Sequence, residues 1–157
     1  MSRIIWHLKV IPVAASILLL WAAGSSFSHP ILYTNFTHSM PLGVYLAIDR
    51  PAHPGDDVVF ASDLVPSFGL HLPPLLLKRF AYGAGLRVRI NQAGLHVAGN
   101  LIAPRVVHFG TVYSGPIPKG ESLLLGEDPR SFDSRYFGPV PVASLQPVEP
   151  LLTWSAR

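Results

Sequence analysis

Apolar residues are distributed along this chain in two ways. From Val10 to Ala23 they run as Val-Ile-Pro-Val-Ala-Ala-Ser-Ile-Leu-Leu-Leu-Trp-Ala-Ala without a charge, with Arg3 and Lys9 ahead of them. That is a positive n-region followed by an apolar h-region. With Ile4, Ile5 and Trp6 counted, and the Lys9 stem lying along apolar surface, the segment approaches the ~20 residues that a bilayer crossing requires. Residues 1–27 are therefore expected to be an N-terminal membrane anchor or signal segment, with an uncut transmembrane helix preferred over a cleaved leader. The positive flank puts the N-terminus in the cytoplasm and residues 28–157 outside, as one domain.

Beyond that segment no helical period survives for more than about ten residues before a Pro or Gly interrupts it. Short β-branched runs recur instead: Val44 to Ile48, Asp57 to Phe60, Leu86 to Ile90, Leu95 to Val97, Val106 to Phe109 and Leu123 to Leu125. Turn chemistry bounds them. Pro54-Gly55-Asp56 opens one strand, Asn91-Gln92-Ala93-Gly94 separates two that can pair as a hairpin, and Pro118-Lys119-Gly120 precedes another. The expected fold is mainly β. Leu64 to Leu77, with Pro66, Pro73 and Pro74, reads as an irregular apolar stretch, and Pro147 to Arg157 as a surface extension.

Composition narrows the chemistry. Apolar residues make up 49% of the chain and charged ones only 13%, which points to lipid contact for a domain of this size. The formal net charge is +3, with basic residues single or in pairs rather than in a stripe, so nucleic acid is not an expected partner. With no cysteine in the sequence, disulfides, thiolate metal sites and a Cys nucleophile are excluded. The seven histidines contain no His-Glu-x-x-His pair and do not cluster with carboxylates, so neither a metal nor another cofactor is expected.

A serine needs a base close in space, not in sequence. His38 is a poor candidate base for Ser39, because neighbours in an extended segment point to opposite faces. Taken singly, Ser39-Met40-Pro41, Lys78-Arg79 and Asp133-Ser134-Arg135 are weak signals. Their order is more informative. The apolar segment, Asn35-x-Thr37-x-Ser39-Met40-Pro41, Gly55-Asp56-Asp57-Val58-Val59-Phe60, Leu77-Lys78-Arg79 and Ser131-Phe132-Asp133-Ser134-Arg135-Tyr136-Phe137-Gly138-Pro139 together resemble the successive boxes of the signal peptidase I family. The short TraF-type peptidases of conjugative transfer systems are the most similar members. The chain departs from the family pattern at Gly83-Ala84-Gly85-Leu86 and at Gly126-Glu127-Asp128, both in turns.

The resemblance implies a signal-peptidase-like β catalytic domain behind one transmembrane helix. It implies Ser39 as nucleophile and Lys78 as general base, with Ser131 orienting the Lys78 amine. The Ser39 N–H and the Thr37 hydroxyl would form the oxyanion hole, and Asp133 and Arg135 a supporting ion pair. Implied too are a bacterial inner-membrane location with the catalytic domain in the periplasm, and a translocated, pilin-like precursor with small residues before the cut. Its product would be linear or cyclised. A general signal peptidase is the alternative enzyme, although the larger members carry an extra β-domain for which this chain lacks the length. An inactive anchored component of a secretion or pilus apparatus is the alternative outside enzymes. As a base, Lys78 must be neutral, which apolar walls such as Leu75, Leu76, Leu77 and Phe80 would favour.

Overall fold

The computed structural model describes residues 31–154. The anchor expected over residues 1–27 lies outside them; among the described residues no helix is long and apolar enough to cross a membrane. From Leu32 onward the chain forms one compact unit. Its strands are β1 (Leu32–Asn35), β2 (Leu42–Ala47), β3 (Asp57–Ala61), β4 (Leu75–Gly83), β5 (Arg87–Asn91), β6 (Gly94–Val97), β7 (Asn100–Pro104), β8 (Tyr113–Pro116), β9 (Glu121–Leu125), β10 (Val140–Pro141) and β11 (Gln146–Trp154). Among the described residues a single short α-helix, α1 (Ser134–Phe137), precedes β10. The mainly β expectation holds.

The strands form two antiparallel sheets, one ordered β1-β2-β11-β3-β4-β9-β10 and the other β7-β6-β5-β8. The first is covered on both faces, which explains its runs of consecutive apolar residues. Along β3, Val58 and Phe60 enter one core cluster with Leu76, Phe80, Leu124 and Phe137, while Val59 faces the other way into a cluster with Met40, Tyr45, Leu77 and Val148. The second sheet closes over its own core of Val88, Ile90, Leu95, Val97 and Ile117, which reaches the first sheet through Leu123 of β9. Of the turns read from sequence, Asn91 to Gly94 joins a β5–β6 hairpin in which those two residues are paired.

Three expectations need correction. The stretch from Leu64 to Leu77 is not irregular throughout: Leu75 to Leu77 begin β4, paired to β3 with Leu76 opposite Phe60 and Lys78 opposite Val58. Leu76 and Leu77 point to opposite faces and are both buried, because both faces of the strand are covered there, while Leu75 at its start is exposed. The run Val106 to Phe109 is a loop rather than a strand. Its entry is pinned by Arg105, whose Nε donates to the Arg135 carbonyl at 2.6 Å, and its exit by Thr111 N donating to the Tyr136 carbonyl at 2.6 Å. The segment after Pro147 is β11, an interior strand between β2 and β3. Proline is unusual there because it lacks a ladder donor. Here the Gln146 Nε2 donates to the Ile48 carbonyl at 2.8 Å, Pro147 still accepts from Ile48 N at 2.9 Å, and a register shift between Pro150 and Leu152 absorbs the second proline.

An interior β11 makes a testable demand. Val148 is 3% exposed, so Val148→Asp buries an unpaired carboxylate and is expected to cost about 3 kcal/mol or more. Denaturant melts would read this as a large loss of midpoint, whereas a surface tail would tolerate the change.

Candidate active site

Ser39 stands in the loop joining β1 to β2, a hairpin in which Asn35 pairs with Gly43. Three features fix that loop. Met40 is buried at 2% exposure among Tyr45, Val59, Leu77 and Val148. The Tyr45 hydroxyl donates to the Pro41 carbonyl at 2.6 Å, and burial pushes the Tyr45 phenol up to about 12, so it remains a donor. Glu127 N donates to the Ser39 carbonyl at 2.7 Å, tying the loop to the end of β9. The carboxamide of Asn35 fills the centre: its Nδ2 lies 2.9 to 3.0 Å from the carbonyl oxygens of Thr37, Met40 and Pro41. Its Oδ1 accepts from Thr37 N at 3.1 Å and from Thr37 Oγ1 at 2.8 Å.

Lys78 reaches the same point from β4. Strand alternation sets it on the face that carries Leu76 and Phe80, and the side chain is left 3% exposed. Its Nζ donates to Ser39 Oγ at 2.8 Å and to the Leu77 carbonyl at 3.0 Å. Burial, the dominant cause, holds the amine down at about 8 against an ordinary 10.5; nearby Asp133 pulls it up and Arg135 pushes it down. Of the expected apolar walls, Leu76, Leu77 and Phe80 are buried, and Leu75 is largely exposed. A neutral amine at this distance has a lone pair for the serine proton. Thr37 Oγ1 lies 3.2 Å from Ser39 Oγ on another side.

The block from Ser131 to Gly138 builds the floor. Asp133 caps α1, accepting from Arg135 N at 3.1 Å, and makes a bidentate pair with the Arg135 guanidinium, both bonds 2.8 Å, with neither side chain more than 4% exposed. Its Oδ2 also accepts from Gly126 N at 2.9 Å, so the pair holds the turn after β9 that in turn holds Ser39. Arg135 Nη1 donates to the carbonyls of Pro129 and Pro104, at 2.6 and 3.1 Å. Ser131 is buried beside this turn, and its Oγ has no hydrogen-bond partner among the described residues. A Cβ added at Gly126 would strike the Ser131 side chain and come within 2.7 Å of the Ser39 carbonyl oxygen, so only glycine fits between them.

The fold thus brings Ser39, Lys78 and Thr37 together, sets Asp133 and Arg135 as a buried pair behind them, and leaves Ser131 adjacent. His38 is exposed and lines an open cleft of about 350 Å³ beside Ser39, with Met40, Leu42, Glu127 and Trp154. Among the described residues no three His, Cys, Asp or Glu side chains gather at metal-binding distance. Sequence reasoning gave no role to Asn35 or Gly126. The first carried a usable signal, since an Asn at the end of a strand commonly organises the loop that follows.

The family model described as signal peptidase, peptidase S26, matches residues 3–154. The plasmid transfer protein TraF of Escherichia coli is 30% identical to this chain, over 76% of its length and 82% of the relative's.

Two outcomes follow from the geometry. From about pH 8 to 10.5 the unfolded chain holds a proton on Lys78 that the folded chain has released, so stability rises with pH across that window. Below it the folded state carries the whole penalty, on the order of 3 kcal/mol. Lys78→Met is therefore expected to melt higher than the unmodified protein at pH 7, with the gap closing as pH rises toward 10.5; an unchanged gap would mean that the amine is not desolvated. Asp133→Ala leaves the Arg135 guanidinium buried without its partner and should cost about 3 to 5 kcal/mol. A thermal melt that does not move would show that the pair is not structural.

Proposed function

This chain belongs to the signal peptidase family, peptidase S26, a family of serine peptidases, and we propose that it is an endopeptidase in which Ser39 is the nucleophile and Lys78 the general base. The observation that carries the reading is the 2.8 Å contact between Lys78 Nζ and Ser39 Oγ, made by a lysine buried among apolar side chains. A neutral Lys78 takes the Ser39 proton as Oγ attacks the scissile carbonyl. The ammonium so formed returns the proton to the leaving amine, and the amine, neutral again, activates the water that releases the acyl group. The Ser39 N–H and the Thr37 hydroxyl receive the oxyanion, a donor of that kind being worth about 3 to 4 kcal/mol of barrier. Ser131, whose Oγ makes no hydrogen bond to Lys78 in this structure, would orient the amine only once the two close to bonding distance, and Asp133 with Arg135 holds the surrounding turn.

An extended substrate has a place to lie. β9 pairs with β4 only from Arg79 onward, so the edge of Leu75 to Leu77 on that side has no partner strand among the described residues. A peptide added there would pass beside Lys78 by strand addition. Working beyond a membrane anchor in the periplasm, the enzyme would cut a translocated precursor with small residues before the scissile bond. The likeness to a plasmid transfer protein favours a conjugative pilin as that precursor. Capture of the acyl-enzyme by the precursor's own amine, in place of water, would give a cyclic product.

The test compares small membrane peptides by mass spectrometry from cells carrying the protein, lacking it, or carrying Ser39→Ala. A shortened or cyclised peptide present only with the unmodified protein is expected, together with an acyl adduct on Ser39, and neither should depend on chelators. Processing that persists with Ser39→Ala would overturn the assignment. In the unmodified protein, activity should rise with pH through an ionisation at about 8, and Lys78→Arg should be as inactive as Lys78→Ala because a guanidinium cannot be deprotonated. Substantial activity in Lys78→Arg would remove Lys78 as the base.

A further inference from the structure

Asn35 makes more polar contacts than any other side chain of the nucleophile loop, and the roles proposed above leave it unused. It is 6% exposed. Three carbonyl oxygens, of Thr37, Met40 and Pro41, face one side of its carboxamide at 2.9 to 3.0 Å, which requires the NH₂ on that side and the oxygen on the other. The two N–H groups then serve three acceptors, one of them shared. On the opposite side the amide oxygen accepts both the N–H and the O–H of Thr37, at 3.1 and 2.8 Å.

The proton count has a consequence at the reacting atom. An amide oxygen cannot donate, so the single hydroxyl proton of Thr37 is committed to Asn35 in the resting enzyme. Thr37 Oγ1 therefore presents a lone pair, not a proton, across the 3.2 Å to Ser39 Oγ. When negative charge develops on a bound carbonyl, the Thr37 hydroxyl turns from Asn35 to the oxyanion. A neutral hydrogen bond is exchanged for a charge-assisted one, while Asn35 still holds the Thr37 N–H.

We propose that Asn35 is the positioning residue of this site: its carboxamide closes the loop from Thr37 to Pro41 and holds the Thr37 hydroxyl beside Ser39 until the oxyanion takes its proton. The inference rests on Ser39 being the nucleophile and Thr37 an oxyanion donor. Its effect runs through Thr37, so the two residues act as one unit and Lys78 is not involved.

The experiment uses the full chain in detergent micelles and p-nitrophenyl acetate as probe. The Ser39 Oγ–acetyl bond forms, the ester bond to p-nitrophenolate breaks, and the serine proton goes to Lys78. Intact-mass and peptide mapping read acetyl-Ser39 against time for the unmodified chain, Asn35→Asp, Thr37→Val and the double variant. Asn35→Asp is nearly isosteric but turns an oxygen toward the three carbonyls, and should slow acylation on the order of 100-fold. Thr37→Val should act in the same direction, and the double variant should be no slower than Asn35→Asp alone. The pH midpoint of acylation should be the same in Thr37→Val and Asn35→Ser as in the unmodified chain, because neither change adds a charge or alters the burial of Lys78; Asn35→Asp is compared by its rate above the midpoint, since a new carboxylate raises the proton affinity of the amine as Asp133 does. Asn35→Ser also serves in place of Asn35→Asp if the latter does not fold; its hydroxyl is too short to span both Thr37 and the carbonyls, so the same slowing and the same non-additivity are expected. Acylation at the unmodified rate in a folded Asn35 variant, effects that multiply in the double variant, or a pH midpoint shifted in Thr37→Val or Asn35→Ser would overturn the proposal while leaving Ser39 as nucleophile. Absence of acetyl-Ser39 in the unmodified chain would overturn both.

Discussion

The removal of Lys78 from water is the constraint around which the rest of the structure is arranged. An exposed lysine stays charged near neutral pH, and a charged amine has no lone pair to accept a proton. Burial at 3% exposure brings the amine down to about 8 and makes it available, at the cost of folding a chain with a poorly solvated group inside it. The structure meets that cost with apolar strands on both sides. Leu76 and Phe80 flank Lys78 along β4, Val58 stands opposite on β3, and Leu76 and Leu77 are both apolar because both faces of the strand are covered there.

In the proposed reaction a buried base is of use only if Ser39 is delivered to it with equal rigidity. Ser39 lies on a loop, so its position comes from side chains rather than from a ladder. Met40 anchors the loop in the core, Tyr45 and Asn35 bind its carbonyls, and Glu127 N binds Ser39 itself. The last contact links Ser39 to the turn after β9, which Asp133 holds through Gly126 N. The chain of contacts thus runs from the ion pair through the turn to Ser39. Gly126 permits it, since any side chain there would strike Ser131 and the Ser39 carbonyl.

Much of this was legible in the sequence, and what was missed has physical causes. The mainly β character followed from the spacing of Pro and Gly, and the hairpin at Asn91 to Gly94 from turn chemistry. Ser39, Lys78, Asp133 and Arg135 were singled out from the order of short motifs, where no single one was decisive, and the fold brings the first two within 2.8 Å and pairs the last two. Strands that break the alternation rule were not legible. Leu76 and Leu77 are buried on opposite faces, and Pro147 and Pro150 sit in an interior strand because the Gln146 side chain and a register shift supply what proline withholds. The opposite error occurred at Val106 to Phe109, whose apolar run looks like a strand. Arg105 and Thr111 bind it to α1 instead, through contacts distant in sequence that no local pattern encodes. Asn35 was visible as a letter in a motif, but its role depends on three carbonyls converging in space.

Two charges lie near Lys78. Asp133 by itself favours a proton on the amine, and Arg135 by itself disfavours it. Because the two are bound to each other at 2.8 Å through two bonds, their fields at the Lys78 amine act in opposite senses from nearly the same place. The pair can therefore serve as rigid scaffolding, capping α1 and holding the turn at Gly126, without imposing a large net field on Lys78. Burial remains the dominant influence on that amine, and burial is a property of the strands. Structural support and proton affinity are thus kept on separate parts of the molecule: charged groups fix the positions, and apolar ones set the chemistry.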